Sequence, residues 1–468
     1  MKIKLISILS ITLLLSSCSS WIDSSINTDP NNPTDVAMAL LVAPIEVNLA
    51  YVVGGDLTRT TNGWMQQLAG LSSQSADNDV YNISEADVNN AWSYNLYNPG
   101  MYNTKILMAK AVTEKSPHYG GIAKILMAYH LGVTTDLWGD IPYSDALALT
   151  STNGRTKSKY DTQQVIYTTI FTLLNDAITD LKTPNSLFEP GSEDLIYGGD
   201  LKAWTKTAHA LMARYKLHLV KIGTYTYQNV LDELANSYTG NADDLKVVFG
   251  SAYSNSNPMF QFADQRDYVG ANTTFMDMLK ATNDPRLGVY FLGTDTSTVN
   301  GVVKLAYISS AAGESNGDAS RVGANYASPA SPVYLMSYAE VKFIEAEADL
   351  QIGKIPAAIT AYNAGLKASL DREGVFDATW YDANSIPAGG TITLKQIINQ
   401  KYLSAYLQIE TFNDWRRTGF PTLTLATGAF TTEIPRRLPY PSDERLYNGA
   451  NEPSPLPTIT SRVWWDIK

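Results

Sequence analysis

Apolar residues recur every three or four positions in several stretches of the chain, the spacing expected for one face of an α-helix. The stripes consist of Ile122, Leu126, Tyr129 and Val133; Ile166, Ile170, Leu173, Ala177 and Leu181; Trp204, Ala208, Leu211, Tyr215 and Leu219; Val341, Ile344, Ala348 and Ile352; and Leu394, Ile398, Tyr402, Ala405 and Ile409. Asp161 with Gln164 resembles a capping box before the second stripe, and Asp200 suits the N-cap before the third. The pattern predicts a mostly α-helical protein.

The stretch around Gly353 has the pattern of a helical hairpin. Residues 338–352 form one helical segment, Gly353 ends it, and Pro356 suits the first turn of the next helix. Small residues follow where the two helices must approach, as in a tetratricopeptide unit, although an isolated helix pair gives the same pattern. Similar pairing elsewhere predicts helical hairpins at about 101–135, 162–221, 336–370 and 393–417.

A long segment between the second and third hairpins differs in amino-acid composition from the helical segments. Residues 236–334 are rich in Ser, Asn, Gly, Thr and Tyr and show no long apolar stripe. Insertions of this length are usually either functional or disordered, and the many tyrosines favour an ordered binding region. Residues 34–468 are therefore predicted to form one unit, a tetratricopeptide-like helical-hairpin scaffold with a large irregular loop-rich ligand-binding face.

The N-terminus has the organisation of an export signal. A short basic start is followed by an apolar run from Leu5 to Leu15, too short to span a bilayer stably, and then by Ser16, Ser17 and Cys18. Small residues before a cysteine resemble a lipobox, in which the thiol is acylated and the chain is cut just before it. We expect a signal peptide at 1–17, lipidation of Cys18 and a tether at 18–33. The alternative is an ordinary signal peptide with a chance cysteine.

Composition and charge exclude several classes of function. The chain of 468 residues is 44% hydrophobic and 17% charged, as expected for a globular protein. Removing Lys2 and Lys4 with the signal peptide lowers the formal net charge from −11 to −13, so binding to nucleic acid or to anionic lipid headgroups is disfavoured. Cys18 is the only cysteine, so no internal disulfide can form. No later segment approaches about 18 uninterrupted apolar residues, so no transmembrane helix is expected.

Several short strings occur together in a characteristic order. They are TDPNNP (28–33), DLWGDIPYSDAL (136–147), YAEVKFIEAEA (338–348), DWRRTGFP (414–421), IPRRLPYPSDE (434–444) and RVWWD (462–466). Together with the lipobox, they resemble the SusD/RagB family of outer-membrane lipoproteins. The resemblance extends from Cys18 to the C-terminus.

The resemblance implies both an architecture and a role. The family packs four tetratricopeptide-like hairpins along one side and carries its ligand face on loop-rich segments. Its members lie on the surface of Bacteroidetes, where they capture oligosaccharide, or peptide in the RagB branch, and deliver it to a SusC-like TonB-dependent transporter. They are not enzymes. An acidic run after the cysteine often accompanies surface export, but here only Asp23 is nearby, so the outward orientation is inferred from the family alone.

Residue patterns give little support to catalysis. Residues 313–317 match G-x-S-x-G, but no helical stripe follows, so a polar loop is the preferred interpretation. The four histidines have no metal-binding spacing. Carboxylates are plentiful, yet nothing singles out a pair of the kind that a glycosidase uses. We therefore predict no catalytic residue, no metal and no cofactor.

Candidate ligand contacts combine aromatic rings with polar side chains. Sugar rings stack on aromatic faces, and their hydroxyls bind amide, carboxylate and guanidinium groups. The candidates are Trp64, Gln74, Asp77, Asn78 and Tyr81 after the first helix, and Tyr253, Asn257, Arg266, Tyr268, Tyr307 and Tyr326 in the insertion. The competing interpretation is that these rings pack the loops onto the scaffold.

Other prominent residues are expected to be structural. Trp138 belongs to a Gly-Asp-x-Pro turn between hairpins, and Asp414, Arg416 and Arg417 are expected to form ion pairs. Trp464 and Trp465 are expected to dock the C-terminal segment into the core. The sequence thus predicts a surface glycan-binding lipoprotein. A peptide-binding uptake lipoprotein, a lipid-anchored glycoside hydrolase and a purely structural helical-repeat adaptor remain alternatives.

Overall fold

The computed structural model describes residues 36–147, 157–299 and 302–468. The expected signal peptide, Cys18 and the tether lie outside these residues. The protein is mostly helical with little sheet, so the predicted fold class is confirmed.

The α-helices in chain order are α1 (Ala39–Val52), α2 (Thr58–Trp64), α3 (Ser73–Asp79), α4 (Asn89–Ala91), α5 (Tyr102–Thr113), α6 (Pro117–Trp138), α7 (Gln163–Leu181), α8 (Leu201–His218), α9 (Tyr227–Leu234), α10 (Pro258–Gln265), α11 (Thr273–Ala281), α12 (Leu287–Tyr290), α13 (Tyr338–Gln351), α14 (Ile355–Glu373), α15 (Ala378–Asn384), α16 (Leu394–Ser404), α17 (Glu410–Thr418) and α18 (Ser442–Asn448). π-Helical turns connect α1 to α2 and α4 to α5.

The strands are short and form antiparallel pairs. They are β1 (Leu68–Gly70), β2 (Ile141–Pro142), β3 (Tyr160–Asp161), β4 (Leu245–Val248), β5 (Val269–Ala271), β6 (Thr294–Val299), β7 (Val302–Ala306) and β8 (Pro332–Met336). The pairs are β1 with β5, β2 with β3, β4 with β8, and β6 with β7. Two of these pairs join segments that are far apart in sequence, so they fasten the loop-rich side to the scaffold.

Consecutive helices pack against one another along the scaffold. α6 lies between α5 and α7, α7 contacts α8, and α13 contacts α14, α16 and α8. Their facing sides carry the apolar stripes, whose members are almost completely buried except for Ile352, which is exposed, and Leu394, which is half-buried. The scaffold thus derives its stability from burying one face of each helix against the next.

Local hydrogen bonds set where these helices begin. Asp200 caps α8 as predicted, since its side chain accepts the N–H groups of Lys202 and Ala203. The capping box predicted from Asp161 is wrong: Thr162 caps α7. Asp161 belongs to β3 instead and accepts the N–H groups of Tyr143 and Ser144, which fixes the turn after α6.

A fully buried polar centre joins α6, α8 and α17. Asp136 accepts hydrogen bonds from Tyr167 at 2.5 Å and from the indole of Trp465 at 3.0 Å. His218 lies 2.8 Å from Glu410. Burial alone raises the pKa of Glu410, but the neighbouring side chains of His218, Arg214 and Lys401 hold it well below its ordinary value. Since buried charges are tolerated only when paired, each of these elements depends on the others.

The residues expected to be structural occupy the interior. Trp138 is buried and donates its indole N–H to the carbonyl of Pro439, 2.8 Å away. Arg417 pairs with Asp414 and Glu347, whereas Arg416 donates to the carbonyl oxygens of Asp136 and Arg436 rather than to a carboxylate. Trp465 is buried and Trp464 is half-buried.

The segment 236–334 contains more regular structure than its composition predicts. It holds α10, α11, α12 and most of the short strands. Ser315 of the G-x-S-x-G string donates to the carbonyl of Gly70 at 3.0 Å, and no helix follows it before residue 332 in the part of the chain that the structure describes. The string is therefore a turn that packs against β1.

Residues Ala39–Trp64 are long and apolar enough to cross a membrane by length and composition. Most of the window lies inside the fold, and Glu46 in its middle is completely buried against the protein. The segment is a core helix of the scaffold.

Candidate ligand-binding cavity

A cavity of about 550 Å³ opens where α2, β1 and α3 meet the turn at Glu85–Val88. This volume lies within the range of small-molecule sites. The polar side chains that line it are Asp56, Arg59, Thr60, Gln74, Ser75, Asp77, Asn78, Asn82, Ser84, Asp87 and Asn90. Amide and carboxyl groups thus surround a space large enough for sugar rings.

The inner wall depends on a close approach between β1 and α3. β1 pairs with β5 in the register Gly70 to Val269, which brings the loop-rich side against the end of α2. A Cβ on Gly70 would lie 1.9 Å from the carbonyl oxygen of Ser75, so only glycine lets α3 pack here. Asn78 donates to the carbonyl of Thr60 at 3.2 Å and holds α3 against α2.

The outer wall is fixed by its own hydrogen bonds. Asn82 donates to Asp77 at 3.2 Å. Asp87 accepts from the backbone N–H and the hydroxyl of Ser84, both at 2.7 Å, in a capping box. Because these contacts lie within residues 77–87, the cavity is formed before any ligand enters.

A buried carboxyl supports the cavity from behind. Asp79, at the end of α3, accepts the N–H of Gly313 at 2.6 Å. Burial raises its pKa to about 6. The contact fastens α3 to the loop around Gly313, which also touches β1 through Ser315.

Arg59 joins the cavity to α10. Its guanidinium forms an ion pair with Asp56 and lies 3.9 Å above the ring of Phe262. Burial lowers its pKa below the ordinary value, but the group remains charged at neutral pH. The residues that line the cavity include no aromatic ring in the part of the chain that the structure describes. Rings for stacking must therefore come from the neighbouring surface.

Such rings lie just beyond Arg59, in a surface that we call the aromatic rim: Tyr51, Tyr253 and Phe260. Tyr51 and Tyr253 are 41% and 47% exposed. Gln261 and Gln265 of α10 hold their hydroxyls at 3.1 and 2.5 Å, respectively. The rings of Tyr253 and Phe260 meet edge to face at 6.1 Å. Exposed aromatic faces with fixed hydroxyls suit the stacking of sugar rings.

The structure brings together part of the predicted set. Gln74, Asp77 and Asn78 line the cavity. Tyr253 belongs to the aromatic rim, and Arg266 is exposed at the end of α10. Tyr268 is half-buried with its ring 6.2 Å from that of Phe262, beneath Arg59. The structure thus places three of the predicted residues in the cavity and three on or next to α10, to which Arg59 links the cavity.

Four of the predicted contact residues lie in the core, where a ligand does not reach them. Trp64 is completely buried and packs against Phe412. Tyr81 is buried, and its hydroxyl accepts the N–H of Ala426 at 3.3 Å. These rings support the cavity from within. The prediction that they contact a ligand directly is therefore corrected.

The other two core residues have equally definite structural roles. Asn257 is buried and caps α10 by accepting the N–H groups of Met259 and Phe260. Tyr326 is buried and donates to Glu373 at 2.6 Å. Tyr307 is half-buried, and an added Cβ at Gly288 would lie 3.0 Å from its hydroxyl, so it packs on α12 away from the cavity.

Sequence reasoning missed Asp56, Arg59, Tyr51 and Asp87. The first three fall in the apolar segment 39–64, which lacks the composition of a loop. One signal was present: Gly54 and Gly55 interrupt the helix just before Asp56, and Gly55 adopts non-helical dihedral angles there. A break inside an apolar helix exposes polar side chains that would otherwise face the core.

Comparison with protein families identifies the family to which the chain belongs. The model of the SusD-like family, described as starch-binding and associating with the outer membrane, matches residues 30–441. The chain belongs to the SusD-like family. The sequence-based recognition of this family is thereby confirmed.

Solved structures of SusD-like proteins have the same fold. A SusD/RagB family protein from Bacteroides thetaiotaomicron is 24% identical with a TM-score of 0.76, covering 92% of this chain and 99% of its own. A chitin-binding SusD homologue from Flavobacterium johnsoniae is 24% identical with a TM-score of 0.75, covering 92% and 98%. A SusD homologue from Bacteroides fragilis is 22% identical with a TM-score of 0.75, covering 93% and 100%. Comparison with curated proteins gives no match.

Proposed function

We propose that this SusD-like protein captures oligosaccharides in the cavity and on the aromatic rim without altering them chemically. The protein is held at the outer membrane by a lipid on Cys18 and delivers its ligand to a SusC-like TonB-dependent transporter. The family description, starch-binding and associating with the outer membrane, supports the membrane location and the class of ligand. The lipobox at residues 15–18 supports the anchor.

One observation carries the proposal: a preformed polar cavity opens beside exposed aromatic rings. Amide groups of the exposed Gln74, Asn82 and Asn90 can donate to and accept from sugar hydroxyls at the same time. Tyr51 and Tyr253 offer flat faces to a chain that leaves the cavity. Together they match a ligand with hydroxylated edges and apolar ring faces.

Calorimetry with purified malto- and chito-oligosaccharides tests the proposal. These ligands follow from the starch of the family description and the chitin of the Flavobacterium homologue. Tyr51→Ala and Tyr253→Ala should each weaken binding of the preferred oligosaccharide about 5- to 20-fold, because each removes a stacking face. Gln74→Ala should weaken it as well, through lost hydrogen bonds.

Phe376→Ala is the matched control. Phe376 is 41% exposed, as Tyr51 is, but it lies after α14, away from α10 and the cavity. Its removal should leave the affinity unchanged. If the rim variants bind as tightly as the control, ligand does not cross the rim and the proposal is wrong.

A glycoside hydrolase is the rival that the cavity itself suggests, since Asp56, Asp77 and Asp87 all line it. Each carboxylate already has a local partner: Arg59, Asn82 and Ser84, respectively. Incubating pure protein with the polysaccharide that it binds should release no reducing ends. Sustained release that disappears on changing one of these aspartates to asparagine would support the hydrolase instead.

A further inference from the structure

The charges that face the cavity are unbalanced. Asp56, Asp77 and Asp87 bring three carboxylates to its lining, and Arg59 brings the one cation among the described residues there. All three aspartates are exposed, with the side chain of Asp56 54% accessible. A ligand in the cavity therefore meets more negative than positive charge.

Arg59, the single cation, already has partners within the protein. The guanidinium of Arg59 pairs with Asp56, lies over Phe262 and is only 14% exposed. It therefore offers little to an incoming anion. Arg445, which reaches the turn beside Asp87, is paired with Glu85 at 2.7 Å.

The remaining two carboxylates are stabilised by neutral groups alone. Asp77 accepts from the amide of Asn82, and Asp87 accepts from the N–H and hydroxyl of Ser84. Neither has a cationic partner among the residues that the structure describes. Hydrogen bonds of this kind hold a carboxylate in place without cancelling its charge, so both continue to attract a cation from solvent.

We infer that the cavity prefers oligosaccharides that carry protonated amino groups, such as β-1,4-linked glucosamine, over neutral ones and rejects uronate or sulfated chains. The inference rests on the proposed function, because it names the charge of the ligand in that same cavity. The amide side chains around Asp77 and the neighbouring rim favour a sugar amine over a lysine side chain. A lysine needs one carboxylate and an apolar slot, whereas this lining pairs its carboxylates with many donors and acceptors for hydroxyls.

Calorimetry with three hexasaccharides tests the inference. The ligands are the hexamers of β-1,4-linked glucosamine, of its N-acetylated form and of galacturonic acid. At mildly acidic pH, where the sugar amines are protonated, the glucosamine hexamer should bind about five- to tenfold more tightly than the acetylated one at low salt. The difference should shrink when the salt concentration is raised about tenfold, because exposed charges are screened. The galacturonate hexamer should not bind.

The double variant Asp77→Asn/Asp87→Asn separates charge from shape. Asparagine keeps an accepting oxygen for all three hydrogen bonds but removes both charges. The variant should lose the preference for the amine, so that it binds the amine and the acetylated hexamers equally tightly. Asp176→Asn is the control, because this exposed aspartate of α7 does not line the cavity and changes the net charge alone.

The outcomes distinguish failure of the charge preference from failure of the proposed function. Equal affinity for the amine and the acetylated hexamer overturns the charge preference and leaves glycan capture intact. An unchanged preference in the double variant overturns it as well. If none of the three hexamers nor a malto-oligosaccharide binds, the proposed function itself fails. If a lysine-containing hexapeptide binds more tightly than every saccharide, the cavity belongs to a peptide-uptake protein.

Discussion

Glu46 and Asp194 show how one residue pair can govern stability in this protein. Both carboxyl groups are almost completely buried. Asp194 accepts N–H groups from Ile196, Tyr197 and Gly199 and the indole of Trp204. Burial, and then the charge of Asp194, raise the pKa of Glu46 to about 10. Glu46 is therefore protonated at neutral pH in the folded protein and ionised in the unfolded chain.

Replacing Glu46 by glutamine should stabilise the fold at pH 7. Since the folded pKa lies above the unfolded value of 4.5, the free energy of unfolding falls as pH rises from 4.5 toward 10. Glu46→Gln removes this dependence and should raise the free energy of unfolding at pH 7 by about 1–3 kcal/mol. Urea unfolding at several pH values measures it.

The gain should disappear near pH 4, where the glutamate is protonated in both states. Exposed Glu433→Gln is the control and should shift stability at neither pH. A glutamine variant that is less stable than the parent at pH 7 would show that Glu46 is ionised in the fold.

At the scale of elements, α6 and α8 pack so closely that no larger side chain fits between them. A Cβ on Gly132 would lie 2.0 Å from the hydroxyl oxygen of Tyr215, whose ring is buried. Gly132→Ala forces the two helices apart, which outweighs the ~1 kcal/mol that alanine gains in helix propensity. We expect a loss of about 1–3 kcal/mol in the free energy of unfolding by urea titration.

Gly317→Ala provides the comparison. A Cβ there meets nothing within 4 Å, so the change should stay within about 0.5 kcal/mol of the parent. Equal stability of the two variants would mean that α6 and α8 are farther apart than described.

The sequence predicted those helices that bury a large apolar surface and missed those that bury little. α7 and α8 bury long stripes, so periodicity alone located them. α10 and α11 have eight and nine residues and bury about one turn each. Two turns do not distinguish a helical period from chance, so both were absorbed into a loop-rich segment. The observed N-cap of α7 lies one residue after the predicted one, because Asp161 accepts hydrogen bonds from the preceding turn.

At the scale of the whole molecule, the site was predicted only in part. Gln74, Asp77 and Asn78 stand in a polar run after an apolar helix, and such a run lies at the surface on local grounds. Tyr326 could not be judged in this way. Its burial depends on Glu373 and on Tyr290 and Tyr406, which are brought in by distant parts of the chain. Composition identifies a tyrosine-rich segment but not which rings turn inward.

Attachment to the membrane is also a property of the whole molecule. Our proposal assigns it to a single residue, Cys18, since the net negative charge of the chain disfavours binding to anionic lipid. Cys18→Ser should move the protein from the membrane fraction to the soluble fraction and abolish labelling with a palmitate analogue. Ser19→Ala, which leaves the thiol intact, should do neither. Membrane association that survives the loss of the thiol would contradict the lipid anchor.

The contact between Trp465 and Asp136 has a consequence for how the protein reaches its native state. The two residues are 329 positions apart, yet the indole completes the hydrogen bonding of a carboxylate at the centre of the scaffold. Closing so long a stretch of chain is slow compared with pairing neighbouring helices. Until residue 465 is available, Asp136 lacks its indole partner, although Tyr167 on the next helix can already donate to it. We therefore expect the centre of the scaffold to reach its final packing only when the C-terminal segment docks.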